Sequence, residues 1–276
     1  MCIISLAIQK GGSAKTTTAI NLGAALQRAG KKVLLVDADP QSNMTQSLGI
    51  TIEPEKNLFT ELTREMEGGK GENEEEEKED IRDAIIHLDN GLDLLPSSIE
   101  LAGAELDLVS VYARELLLSW MLKPLENEYD YIFIDCPPAI GMLTVNALVA
   151  SRYVLMPLQA EYLPLKGVRS FMHHLNNIIK IKRKLGLEIE VLGFVLTRYD
   201  DHKKMNRQIA GQMEEEFGRK VFKTHIRSNI QLAKAQEAGL DIFSFDKQAH
   251  GSEDYLALSK EFLEKIKTQL PEHVNT

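Results

Sequence analysis

The chain has 276 residues, 43% of them hydrophobic and 26% charged, with a formal net charge of −9. That is ordinary globular composition, with length for one large core or two smaller ones. Two cysteines, Cys2 and Cys136, exclude a disulfide framework and make a reducing cytoplasm the expected setting; no apolar run approaches the ~18–20 residues of a membrane span, and residues 1–6 lack the charged start and cleavage site of a signal peptide.

An apolar run at 3–8 reads as a buried strand and residues 19–28 as a helix. Between them lies Lys10-Gly11-Gly12-Ser13-Ala14-Lys15-Thr16-Thr17-Thr18. Strand, Gly-rich loop, Lys-Thr and helix form the layout of a phosphate cradle. Backbone N–H groups of the loop surround phosphate oxygens, and the helix N-terminus adds its positive dipole end. Lys15 supplies charge near the outer phosphates and Thr16 a hydroxyl for Mg²⁺. The general pattern G-x-x-x-x-G-K-[ST] wants glycine at 9 and 14, where this chain has Gln9 and Ala14. Ala14 is expected in the first turn of the helix, at negative φ, where a methyl does little harm.

Residues 32–39 form a second strand, apolar almost throughout, which implies a parallel sheet covered on both faces. Asp37 and Asp39 lie at its carboxyl end, where ligands bind in open α/β sheets. Residues 51–90 are less regular. Residues 72–80 carry seven acids and one lysine, −6 of the chain's −9, after Gly68, Gly69 and Gly71. This reads as a mobile, solvated acidic insertion at about 67–80 or an exposed helix start. Further strands are expected at 92–96, 131–135, 153–158, 191–196 and 221–226, with an edge strand at 242–245. Helices are expected at 101–125 (broken in the middle), 143–150, 165–185, 203–217, 230–238 and 255–269. Strands and helices alternate with short connections and no linker. The expected fold is therefore one α/β domain over 1–270, a doubly wound, mostly parallel sheet with helices on both faces, followed by a tail at 271–276.

Asp135 ends the apolar strand Tyr-Ile-Phe-Ile and precedes Cys136-Pro137-Pro138. That is the expected place for a carboxylate that holds Mg²⁺ in a phosphate-loop ATPase. Cys136 reads as a small packed residue rather than a nucleophile. Hydrolysis also needs a group that orients the attacking water, and Asp37 and Asp39 lie at the right strand end for it.

The loop from Lys10 to Thr16 resembles the deviant K-G-G-x-x-K-[ST] phosphate loop of the ParA/MinD ATPases. Asp37-Ala38-Asp39-Pro40-Gln41 resembles the family's switch I, and Cys136-Pro137-Pro138 with Gly141 its switch II. Pro157 to Tyr162 is similar to P-x-Q-x-E-Y, Leu196-Thr197-Arg198-Tyr199-Asp200 to L-T-x-x-D, and Ser252-Glu253-Asp254-Tyr255 to the start of the last helix. The resemblance covers nearly the whole chain and is nearest to the ParA/Soj type.

It implies a deviant phosphate-loop ATPase using ATP and Mg²⁺. Lys10, Lys15 and Asp39 would be catalytic, with Lys10 crossing a homodimer to the other subunit's nucleotide and Asp39 positioning the water. Gly11, Gly12, Ser13, Ala14, Lys15, Thr16 and Thr17 would hold phosphate; Thr197, Arg198 and Asn229 would hold adenine. Thr16, Asp37 and Asp135 would serve the metal. The implied partners are non-specific DNA in the ATP state and a ParB-like activator, with no membrane, in a nucleoid-associated, cytoplasmic protein that segregates plasmid or chromosome cargo.

Residues 166–234 carry fifteen Lys and Arg against seven Asp and Glu, a net of +8; the rest of the chain is then −17, which is −9 less +8. Such a half suits sequence-independent phosphate contact. The DNA candidates are Lys182, Arg183, Lys203, Lys204, Arg207, Arg227 and Lys234, while His202 and Gln231 stand where Soj-like proteins carry arginine. Three other readings share the motor: a positioner of protein cargo such as carboxysomes, a MinD-like membrane switch using the apolar stripe Tyr255, Leu256, Leu258, Phe262, Ile266 and Leu270, and a reductase like the nitrogenase iron protein, which needs two cluster cysteines per subunit.

Overall fold

The strongest apolar runs become the central strands of one sheet. The computed structural model describes residues 1–68, 80–160 and 164–269. Residues 72–79 of the acidic run, Gly69, Gly71, Glu161, Tyr162, Leu270 and the 271–276 tail lie outside the described residues. In chain order the elements are β1 (Cys2–Leu6), α1 (Lys15–Arg28), β2 (Val33–Asp37), α2 (Asn43–Ser47), α3 (Leu58–Met66), β3 (Ile86–His87), β4 (Asp93–Leu95), α4 (Leu101–Asp107), α5 (Leu117–Leu122), β5 (Tyr131–Asp135), α6 (Met142–Ala150), β6 (Tyr153–Gln159), α7 (Pro164–Lys184), β7 (Glu190–Thr197), α8 (Lys204–Phe217), α9 (Ile230–Glu237), α10 (Ile242–Phe245) and α11 (His250–Gln269).

Among the described residues the sheet has seven strands in the order β3-β4-β2-β5-β1-β6-β7. All neighbours run parallel except β3, which pairs antiparallel with β4. This is the doubly wound α/β fold expected from the sequence. Each central strand is apolar on both faces because both faces are covered. Ile3, Leu34 and Ile132 pack with Leu62, Leu101, Leu122, Leu143, Phe171 and Ile209 of α3 to α8. Ile4, Leu35 and Phe133 point the other way, to Ile20, Met44, Leu232, Ile242 and Phe262 of α1, α2 and α9 to α11. Each such side chain contributes roughly 1.5–3 kcal/mol when fully buried.

Several local expectations change. Residues 221–226 do not form a strand. They touch the sheet at two isolated parallel bridges, Phe194 with Val221 and Tyr199 with Arg227. Phe222 N donates to Phe194 O at 2.9 Å and Ile226 N to Leu196 O at 2.8 Å. Between these points the ladder is diverted, because the Glu261 carboxylate of α11 accepts Lys223 N at 2.8 Å and Thr224 N at 2.9 Å. The edge strand at 242–245 is instead the short helix α10. Asp241 caps it, accepting Phe243 N at 2.8 Å and Ser244 N at 3.0 Å, as a strong N-cap residue does.

The irregular stretch 51–90 holds α3, started by a capping box of Asn57 and Thr60. The final helix begins at His250 rather than at 255. Its stripe of Tyr255, Leu258, Phe262 and Ile266 is buried against the sheet, with Phe262 edge-on to Tyr131 at 5.5 Å. These four are core and not free for lipid, while Leu256 of the expected stripe is exposed. Among the described residues no helix is long and apolar enough to cross a membrane.

Candidate nucleotide and metal site

The site grows from three strand ends. Register pairs Leu6 with Asp135 and Asp37 with Asp135, so the carboxyl ends of β1, β5 and β2 lie side by side. The loop at 7–14 leaves β1 between β5 and β6, where the winding of the sheet reverses direction, the usual crevice for ligands.

Within the loop Gly12 has φ +68° and Ala14 φ +71°, while Ser13 and Lys15 keep negative φ. Alternation of this kind turns successive N–H groups into one concavity, an anion nest. Ala14 is therefore not in the helix at negative φ, as expected from the sequence. It precedes α1 in the left-handed region, which costs a residue with a Cβ about 1–2 kcal/mol. The glycine of the general pattern has its physical reason here. Two side chains brace the loop from the neighbouring strand ends. Gln159 Nε2 donates to Gly12 O, and Thr197 Oγ1 donates to Ser13 O at 3.4 Å. Lys15 is 8% exposed. Lys10 is exposed and makes no ion pair among the described residues.

Thr16 Oγ1 donates to Asp135 Oδ2 at 2.5 Å. The other oxygen, Asp135 Oδ1, is buried and without a hydrogen-bond partner among the described residues. Burial first, then the neighbouring Asp37 charge, pushes the Asp135 carboxyl up to about 8, against the Thr16 hydrogen bond and Lys15. A vacant carboxylate oxygen beside a hydroxyl, short of positive charge, is an oxygen donor set that fits a hard divalent cation such as Mg²⁺. Asp37 differs. Its Oδ2 accepts Thr45 N at 2.9 Å and Thr45 Oγ1 at 2.7 Å, and its Oδ1 accepts Asp39 N at 3.3 Å. Burial raises it to about 6. Asp39 is 8% exposed and accepts Gln41 N at 3.0 Å. Cys136 is fully buried, and burial pushes its thiol up to about 12, which suits packing and not nucleophilic chemistry.

A cavity of about 440 Å³ runs from residues 11–17 past Asp39 and Pro138 to Thr197, Arg198 and Asn229. The three residues expected around adenine thus share one wall, with Ile226 and Leu232 supplying apolar surface. Asn229 also caps α9, accepting Gln231 N at 2.8 Å. Two lining or bracing residues had no role in the sequence reading. Gln236 Oε1 accepts Thr17 Oγ1 at 3.2 Å and its Nε2 donates to Ser47 Oγ at 3.3 Å. No spacing rule could link Gln236 to Thr17, because only the fold brings α9 to α1. Gln159 did stand inside a recognised motif.

The candidate DNA residues differ in burial and in pairing. Lys182 is 3% exposed, and its Nζ donates to Ser151 O at 2.5 Å and to Leu148 O at 3.5 Å. Burial lowers it to about 8. It caps the end of α6 and faces no solvent. Arg183 lies in the last turn of α7, which runs back along the sheet for 21 residues, about 30 Å. Arg227 pairs with Asp254 at 2.7 Å and Glu253 at 2.8 Å, so its charge is already matched. Arg207 donates to Asp201 O. Lys203 stands 3.9 Å from Asp200, while Lys204 and Lys234 are exposed without an ion pair among the described residues.

Residues 1–189 match the AAA domain family. The sporulation initiation inhibitor protein Soj of Bacillus subtilis is 39% identical over 262 residues, 94% of this chain and 97% of that protein. The chromosome partitioning protein ParA of Myxococcus xanthus is 36% identical over 269 residues, 98% of this chain and 90% of that one. Among solved structures, cobyrinic acid a,c-diamide synthase from Mycobacterium smegmatis, with bound ATP analogue and magnesium, matches at TM-score 0.80 and 30% identity over 100% of both chains. With the phosphate nest, the braced loop and the vacant Asp135 oxygen, these likenesses show that the chain belongs to the AAA domain family and, within it, to the ParA/Soj-type ATPases, whose cofactors are ATP and Mg²⁺.

Proposed function

We propose that this chain is a Mg²⁺-dependent positioning ATPase that works as a pair and holds DNA in its ATP state. The observation that carries the reading is the division between two lysines of one loop. Lys15 is buried inside the cradle, whereas Lys10, five residues earlier, is exposed and free of ion pairs among the described residues. A cradle needs only the first, and the second suits a phosphate held by another copy. ATP would close two copies face to face, each Lys10 reaching the partner's nucleotide.

Within each copy the nest and Lys15 hold the outer phosphates, and Thr197, Arg198 and Asn229 orient the base. Thr16 and Asp135 would hold Mg²⁺, which neutralises charge on the phosphate oxygens. Asp39 orients the attacking water. Residues 1–270 act as a single domain, slow alone and stimulated by a ParB-like activator, in a cytoplasmic, nucleoid-associated protein.

The closed pair would meet DNA through Lys203, Lys204, Arg207 and Lys234, which contact phosphate without reading bases. Binding to a random-sequence duplex in ATP and in ADP tests this. The reading expects at least tenfold tighter binding with ATP and a steep loss with salt. Equal affinity in both nucleotides would contradict it.

A further inference from the structure

The turn that carries Asp39 is tied down by Asp37 together with Thr45 and Ser97, the last two with no assigned part in the reaction. Asp37 is fully buried and both of its oxygens are engaged, Oδ2 by the amide and hydroxyl of Thr45 and Oδ1 by the amide of Asp39. The Thr45 hydroxyl then accepts Ser97 N at 3.0 Å. Ser97 Oγ donates to the backbone oxygen of Asp39 at 2.7 Å, closing the circuit. Asp39 O also accepts Ser42 N at 2.8 Å. Thr45 and Ser97 are 4% and 2% exposed. The ring joins β2, the first turn of α2 and the segment after β4, and Asp39 stands where it meets the cavity. Buried and fully satisfied rings of this kind hold geometry rigidly, because breaking one bond strands a polar group.

We infer that Asp37, Thr45 and Ser97 form a clasp that sets the position of Asp39, with Thr45 and Ser97 as positioning residues for ATP hydrolysis. Asp37 serves this clasp in place of the metal. The inference rests on the reading of Asp39 as the residue that orients water. A displacement of about 1 Å in such a group can cost on the order of 100-fold in rate, while the phosphate nest lies on another strand end and keeps its affinity.

Steady-state hydrolysis and nucleotide affinity of the full chain are measured for Thr45→Val, Thr45→Ser and Ser97→Ala. Hydrogen exchange is followed by mass spectrometry across residues 37–48 and 93–101. Thr45→Val keeps the volume and removes the hydroxyl. Expected are a fall in kcat of about tenfold or more in Thr45→Val and Ser97→Ala, ATP affinity within about threefold, and faster exchange in both segments. Thr45→Ser recovers most of the rate. A kcat within about twofold of the parent in folded Thr45→Val, an equal fall in Thr45→Ser, or unchanged exchange overturns the clasp. A parent protein that hydrolyses no ATP overturns the reading of Asp39 instead, and the exchange measurement then decides the clasp alone.

Discussion

Ala14 shows how one methyl is weighed against a fold. Its φ of +71° lies where a Cβ meets the following carbonyl. Glycine loses more freedom on folding, so the net gain of Ala14→Gly is about 0.5–1 kcal/mol. Thermal unfolding of Ala14→Gly should show Tm raised by about 1–2 °C, with nucleotide binding retained. An unchanged or lower Tm would mean that the loop relaxes around the methyl. Asp135 makes the opposite trade. Its folded carboxyl is held up to about 8 from an ordinary 3.8, chiefly by burial. The folded state therefore keeps a proton that the unfolded chain releases. That contribution is complete below about pH 4 and is lost as pH rises through about 8. Asp135→Asn carries no such loss. In metal-free buffer its Tm advantage over the parent should grow from pH 5 to pH 8, while Mg²⁺-nucleotide binding falls. A constant difference across that range would contradict the assignment.

At the scale of elements, the sequence was readable where one interaction dominates. Doubly buried strands at 131–135 and 153–158 are continuous apolar or aromatic runs up to the terminal Asp135, and their run length alone marks them. The Gly-rich loop with its Lys15-Thr16 is marked by chemistry. What could not be read depends on partners distant in the chain. Residues 221–226 have strand-like composition, but Glu261 takes two of their amides. The run at 242–245 was ambiguous by periodicity, and the Asp241 cap decided it for helix. Ala14 is expected in the first helical turn, but the helix starts one residue later at Lys15 and leaves Ala14 as its left-handed N-cap, a conformation that composition does not mark. Lys182 looked like its basic neighbours, and only tertiary packing turns it inward. The Glu261 contact has a measurable consequence. Glu261→Ala leaves two amides without a charged acceptor and should cost about 2 kcal/mol in denaturant unfolding. Glu261→Gln, which keeps an acceptor oxygen, should cost less. Equal costs would show that packing of α11 matters and the carboxylate does not.

At the scale of the molecule, charge is unevenly spread. The chain is acidic as a whole, yet residues 166–234 are net positive, and the exposed cations outside ion pairs there include Lys204 and Lys234. If these residues meet the duplex, Lys204→Ala with Lys234→Ala should weaken ATP-state DNA binding evenly across sequences and lower the salt slope by about 2. A loss confined to particular sequences would point to base contact instead. The central claim is that the site is completed by a second copy through Lys10. Its most direct test is the sedimenting mass of Asp39→Ala protein in Mg²⁺-ATP, with and without Lys10→Ala. The account predicts a species of about 62 kDa, twice the 31.0 kDa chain, that reverts to a single chain when Lys10 is removed. A pair that persists without Lys10, or a single chain in both, would contradict it.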